Sequence, residues 1–142
     1  MSTTSISVAE VGIGDSLPEI DLPLTSSLIV AGAVASRDFT PVHHDKAAAQ
    51  QAGMSDVFMN ILTTNGLVGR FVTDWAGPDA AIRNVKIKLG TPNLPGDTMK
   101  LSGEVVSVDA DEGLVEVAVT GKNAWGNHVT GTVKVALPGR AS

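Results

Sequence analysis

The sequence predicts an α+β fold in which an antiparallel sheet covers one long apolar helix, and two observations carry that prediction. From Val85 to Val135, apolar and polar residues alternate in four separate runs, the pattern of strands with one face buried. Before them, between about Val57 and Trp75, Ile61, Asn65, Val68, Val72 and Trp75 recur at helical spacing, flanked by Phe58, Leu62 and Phe71.

Taken in chain order, residues 1–14 read as a loose arm. Leu17 to Leu24 alternates and contains two prolines, so it is expected at a sheet edge, where a missing N–H does no harm. Thr25 or Ser26 is placed to cap a short helix through Ala35. The run Leu28-Ile29-Val30-Ala31 fits a buried strand equally well. Asp45 caps a second short helix through Ala52, closed by Gly53. The long helix is apolar over most of its girth, which predicts that other structure wraps it, and Ala76-Gly77-Pro78 ends it. The strands follow: Val85, Ile87 and Leu89; Met99, Leu101, Gly103 and Val105; Val115, Val117 and Val119; Val129, Val133 and Val135. Pro92 to Gly96, Asp109 to Gly113 and Gly126-Asn127 separate them as turns. A sheet curled around one central helix, the hot-dog arrangement, satisfies this order within a single domain of residues 1–142.

Composition narrows the function. A net charge of −5 argues against a surface built to neutralise nucleic-acid phosphates. The absence of cysteine excludes disulfides and thiolate zinc sites. Met1 to Ala9 lacks the basic start and apolar run of a signal peptide, and Leu28 to Ala35 is too short to span a bilayer, so a cytoplasmic protein without membrane contact is expected. The three histidines show no paired metal-ligand spacing, so no metal is expected.

The densest polar cluster is Ser36-Arg37-Asp38-Phe39-Thr40-Pro41-Val42-His43-His44-Asp45. Pro41 disfavours helix at Thr40 and turns the chain, which folds Asp38 and His43 toward one point. A carboxylate beside an imidazole suits proton transfer. A capping loop with solvated histidines is the plain alternative. His44 is expected to point away to the surface, and His128, after Gly126-Asn127, to be a solvated turn or strand-start residue. Asn65 lies on the apolar stripe of the long helix, either lining a ligand tunnel or bonded to backbone in the core. Arg70, Arg83, Lys86 and Lys88 are candidates for binding a ligand's phosphates, or simply a charged solvent face.

The segment Asp38-Phe39-Thr40-Pro41-Val42-His43, followed by Asp45 and Ala48, resembles the motif of the MaoC-like (R)-specific enoyl-CoA hydratases: aspartate, any residue, asparagine, proline, an aliphatic residue, histidine. With Asn60-Ile61-Leu62 and Val72 to Pro78, the wider string looks like the small MaoC-like subunits of actinobacterial hydratases that act on steroid side-chain enoyl-CoA thioesters. The resemblance implies that Asp38 and His43 are the catalytic pair, activating the water that adds to C3 of the enoyl thioester and protonating C2. It implies that the backbone N–H of Asn60, at the start of the central helix, donates to the thioester oxygen. It further implies a second MaoC-like subunit in a heterotetramer, or else a homodimer, and no cofactor beyond the coenzyme A of the substrate. Two residues depart from the usual pattern: Arg37 stands where a glycine is usual, and Thr40 where an asparagine is. The competing functions are a hot-dog acyl-CoA thioesterase and a non-catalytic partner that shapes another chain's tunnel. A thioesterase of this kind places a carboxylate on the central helix, and Asn60 to Thr73 has none.

Overall fold

The computed structural model describes residues 4–139. Five antiparallel strands form one sheet: β1 (Ser16–Pro23), β2 (Ala81–Leu89), β3 (Thr98–Asp109), β4 (Leu114–Asn123) and β5 (Gly126–Ala136), in the order β1-β3-β4-β5-β2. Three helices accompany them: α1 (Ser26–Ala35), α2 (Lys46–Gln51) and the long α3 (Ile61–Ala76).

Alternation buries one face of the sheet. On β4 the buried set is Val115, Val117, Val119 and Gly121; Met99, Leu101 and Val105 of β3 and Val129, Val133 and Val135 of β5 join it. Val68, Phe71, Val72 and Ala76 of α3 pack into the same core. Each buried valine contributes roughly 1.5–3 kcal/mol of transfer free energy, which fixes the register of these strands. β1 lies at one edge, and its pairing with β3 is interrupted between Leu17 and Ile20, where Pro18 has no N–H to offer.

The first short apolar stretch is a helix, not a strand. Thr25 caps α1 through its side chain, which accepts from the Leu28 N–H at 3.0 Å, and Ile29 and Ala33 are buried. Gly32 lets α1 lie directly on α3, since a Cβ there would come within 2.3 Å of the Thr63 hydroxyl. Asp45 caps α2 by accepting from the Ala47 and Ala48 amides.

Three expectations need correction. Within the loose arm expected over residues 1–14, the described part is docked. Ser5, Ser7 and Val8 are buried, Ile6 and Val8 donate to the carbonyls of Ala76 and Pro138, and Ser7 and Glu10 form a capping box around Val8–Glu10. Residues 1–3 lie outside the described residues. The long helix begins at Ile61 rather than near Val57, because the Phe58 and Met59 amides donate to Val42 and Asn93 and Asn60 supplies the cap. Finally, α3 is not covered all round: Thr64, Val68 and Phe71 face the sheet, while Ile61, Leu62, Gly66 and Arg70 are exposed.

Candidate active site

The site is built at the exit from α1. Ser36 ends the helix, and its hydroxyl donates back to Gly32. Arg37 then takes φ = 58°, the left-handed conformation, with its N–H bonded to the Val34 carbonyl and the Asp38 N–H bonded to Ala33. This is the double hydrogen bond of a Schellman motif, whose left-handed residue is usually glycine. The position therefore explains the glycine usual in the resembling motif, and Arg37 occupies it at a conformational cost of about 1 kcal/mol. The motif pins the backbone of Asp38.

The Asp38 carboxylate is held on both oxygens. Oδ1 accepts from the Thr40 hydroxyl at 2.7 Å and the Thr40 N–H at 3.2 Å; Oδ2 accepts from the Asn60 side-chain amide at 3.0 Å. These bonds, the Thr40 hydroxyl first, hold its pKa down at about 2, so Asp38 is a carboxylate at neutral pH. Thr40, the second departure from the usual motif, does this directly.

Pro41 opens a single 3-10 turn, Pro41–His43, that swings His43 inward to 8% exposure. The ring stands edge-on to Phe58 and its Nδ1 lies 2.6 Å from the Phe58 carbonyl. A carbonyl can only accept, so Nδ1 carries a proton, and when the ring is neutral its Nε2 is bare. That Nε2 lies 3.4 Å from Asp38 Oδ2. With the ring neutral these are two acceptors, which repel at this distance unless something donates to both. One water molecule donating a hydrogen to each satisfies the pair and leaves its oxygen lone pairs free to attack.

His43 and Asn60 line a cleft of about 580 Å³ whose other walls include Phe58, Ile61, Leu89, Thr91, Pro92 and His128. Asn60 is 2% exposed and does three jobs: its Oδ1 caps α3 through the Thr63 N–H, its Nδ2 holds Asp38 and Ser36, and its backbone begins the helix at the cleft wall. A second groove of about 60 Å³, between α3 and the β1–β3 side, holds only the Arg70–Asp74 pair among charged groups and no proton-transfer pair.

The other candidates fall away from this cleft. Asn65 is half-buried on α3 and is not among the cleft's wall residues. His44 is exposed, with Nε2 3.2 Å from the Phe39 carbonyl. Arg70, Arg83, Lys86 and Lys88 are exposed, and only Lys88, beside Leu89 and Gly90, borders the cleft's rim. Among the described residues no group of histidines, aspartates and glutamates is placed to hold a metal ion.

A MaoC-like domain model matches residues 11–127. The chain is 47% identical over 125 residues to the 3-oxo-4,17-pregnadiene-20-carboxyl-CoA hydratase beta subunit of Mycobacterium tuberculosis, covering 88% of this chain and 95% of that one. The chain belongs to the MaoC-like family. Among solved structures, this MaoC-like chain superposes on a chain of the ChsH1–ChsH2 complex of M. tuberculosis with a TM-score of 0.87 at 46% identity, covering 89% of this chain and 98% of that one. The unliganded R-hydratase PhaJ1 of Pseudomonas aeruginosa gives 0.88 at 21% identity, over 99% and 90% of the two chains, which shows the shared hot-dog fold.

Sequence reasoning missed two residues of the MaoC-like site. The Asn60 side chain was passed over in favour of its backbone, although an asparagine three residues before Thr63 is a capping signal. His128 was expected in solvent and is instead 2% exposed in the cleft wall, a correction traced below to a strand irregularity.

Proposed function

We propose that this MaoC-like chain is the catalytic subunit of an enoyl-CoA hydratase acting on a steroid side-chain thioester. The observation that carries this is His43 Nε2, on the wall of an apolar cleft, facing the ionised Asp38 carboxylate at 3.4 Å. The M. tuberculosis relative, named as a hydratase of a pregnadiene carboxyl-CoA, supports the substrate class.

Water held between the two side chains attacks C3 of the trans-2-enoyl thioester while His43 Nε2 takes one of its protons. The electron pair of the double bond moves onto the thioester oxygen, and the Asn60 N–H at the start of α3 donates to that developing negative charge. The imidazolium, stabilised by the neighbouring carboxylate, then returns the proton to C2 and the thioester carbonyl re-forms. Asp38 stays ionised throughout, because its hydrogen bonds keep it a poor proton acceptor. Addition of water leaves the overall oxidation state unchanged, so the reaction requires no redox cofactor.

A second MaoC-like subunit, in a heterotetramer, belongs to the same proposal, with a homodimer as the alternative. The structure matched at 46% identity is of a complex named for two chains, ChsH1 and ChsH2. Large apolar side chains near the site are uncovered here: Val34 is 53% exposed, Phe39 64%, and Ile61 and Leu62 51% each. No described helix is long and apolar enough to cross a membrane. A cytoplasmic location is the final part of the proposal and is open to cell fractionation.

Purified with its partner, the protein should consume the absorbance of an enoyl thioester. Asp38→Asn and His43→Ala should each abolish that activity while the complex stays folded. Near-full turnover by either variant would refute the mechanism. Release of free thiol from acyl-CoA would favour a thioesterase, against which stands the position of Asp74, the sole acidic residue of α3, at the helix end away from Asn60 and paired with Arg70 at 3.5 Å.

A further inference from the structure

His128 enters the cleft wall through a fault in the sheet. In the β4–β5 ladder Gly121 pairs with Val129 and Lys122 with Asn127, so His128 is the extra residue of a bulge. A bulge turns two successive side chains to one side, and here both His128 and Val129 are buried. The end of β2 is fitted to this fault: Gly90 and Thr91 donate to the His128 and Asn127 carbonyls at 2.7 and 2.9 Å. At Gly90 a Cβ would stand 2.2 Å from the Asn127 oxygen.

The re-aimed ring is bonded at both nitrogens. Nδ1 lies 2.7 Å from the Thr91 carbonyl and Nε2 lies 2.8 Å from the Thr64 hydroxyl. The carbonyl requires Nδ1 to carry the proton, and burial pushes the His128 pKa below its ordinary value, so Nε2 accepts from Thr64. Thr64 is one helical turn beyond Asn60, and its N–H bonds to the Asn60 carbonyl. The chain Thr91–His128–Thr64–Asn60 thus joins the loop wall of the cleft to the first turn of α3.

We propose that His128 is a positioning residue of the hydration site, a brace that sets the distance between the Thr91–Pro92 wall and the start of α3, where the thioester oxygen would be received. The inference rests on the hydratase reading. Both ring nitrogens are occupied by protein groups, so neither is free to exchange a proton with the water or the substrate; His128 acts through Thr64 and Asn60.

Thr64→Val removes the hydroxyl, keeps the shape, and leaves the His128 ring in place. In the assembled complex it should lower kcat about tenfold or more with KM held within about threefold, since the oxyanion contact strengthens in the transition state. Thr64→Ser should restore kcat. Hydrogen exchange of peptides spanning residues 58–66 and 88–94, followed by mass spectrometry, should quicken in Thr64→Val and return in Thr64→Ser. Unchanged kcat in Thr64→Val, failure of Thr64→Ser to restore it, or unchanged exchange would each overturn the brace. A wild-type complex that hydrates no enoyl-CoA would overturn the hydratase reading instead, and exchange would still decide whether the brace exists.

Discussion

His43 and His128 face the same cleft, and each lays Nδ1 against a backbone carbonyl, that of Phe58 at 2.6 Å and that of Thr91 at 2.7 Å. Both therefore keep a proton on Nδ1, and in the neutral form of each ring Nε2 is bare. There the likeness ends. Nε2 of His128 meets a hydroxyl that can donate to it, whereas Nε2 of His43 meets a carboxylate that cannot. The first ring is satisfied by the protein and becomes a strut; the second is satisfied only by something brought in. Burial and residue type are shared, so under the proposed mechanism the reactive histidine is distinguished by the partner of its second nitrogen.

Removing the His43 ring is the strongest way to break that comparison. His43→Ala should cost roughly 10²–10⁴ in kcat, the usual contribution of a positioned acid or base, with the melting temperature little changed. Equal losses of kcat and stability would place His43 with His128 among the struts. Next in size is Gly90→Ala. The added methyl would meet the Asn127 oxygen at 2.2 Å, so the bulge that aims His128 must shift. A loss of about 2–4 kcal/mol in denaturant unfolding is expected, and wild-type stability would show that the bulge is not tightly built.

The two histidine regions also differ in how strain is met. The His128 side has glycine at its tight point, Gly90. The His43 side has Arg37 in the left-handed conformation, with no bond or ion pair of its side chain among the described residues. Arg37→Gly should therefore stabilise the protein by up to about 1 kcal/mol with kcat unchanged, as judged by denaturant unfolding and the absorbance assay. Destabilisation would mean that the arginine side chain has a role in the assembled complex.

The same difference explains what was legible in the sequence. The His43 site is local: Asp38, Thr40, Pro41 and His43 lie in one stretch, and a proline announces the turn that folds them together. The strands were legible because their alternation is local too, as were Thr25 and Asp45 as caps. His128 was not, because its environment comes from residues 37 and 64 positions away and from a one-residue slip against β4 that alternation does not record. The start of α3 was placed too early for a similar reason. Val57 to Asn60 continue the helical apolar pattern, but the Phe58 and Met59 amides are claimed by Val42 and Asn93, which propensity does not see. The docking of the N-terminal residues rests on Ala76 and Pro138, which are also remote in the chain.

The smallest effect expected concerns Thr40 and vanishes in acid. Asp38 has its pKa lowered from 3.8 to about 2, chiefly by the Thr40 hydroxyl. A carboxyl whose folded pKa is depressed stabilises the fold above its unfolded pKa and loses that contribution as pH falls through the folded one. Thr40→Val keeps the backbone N–H bond but removes the hydroxyl, so the folded pKa should rise back toward 3.8. Wild type should then melt slightly above the variant at all pH values over 3.8, and the gap should close between 3.8 and about 2. His128, neutral and already bonded to a hydroxyl, has no counterpart to this acid window. A gap independent of pH would mean that Thr40 stabilises the turn before Pro41 rather than the charge of Asp38. The carboxylate that faces Nε2 of His43, and with the ring neutral reserves a place for water, would then owe its ionisation to Asn60.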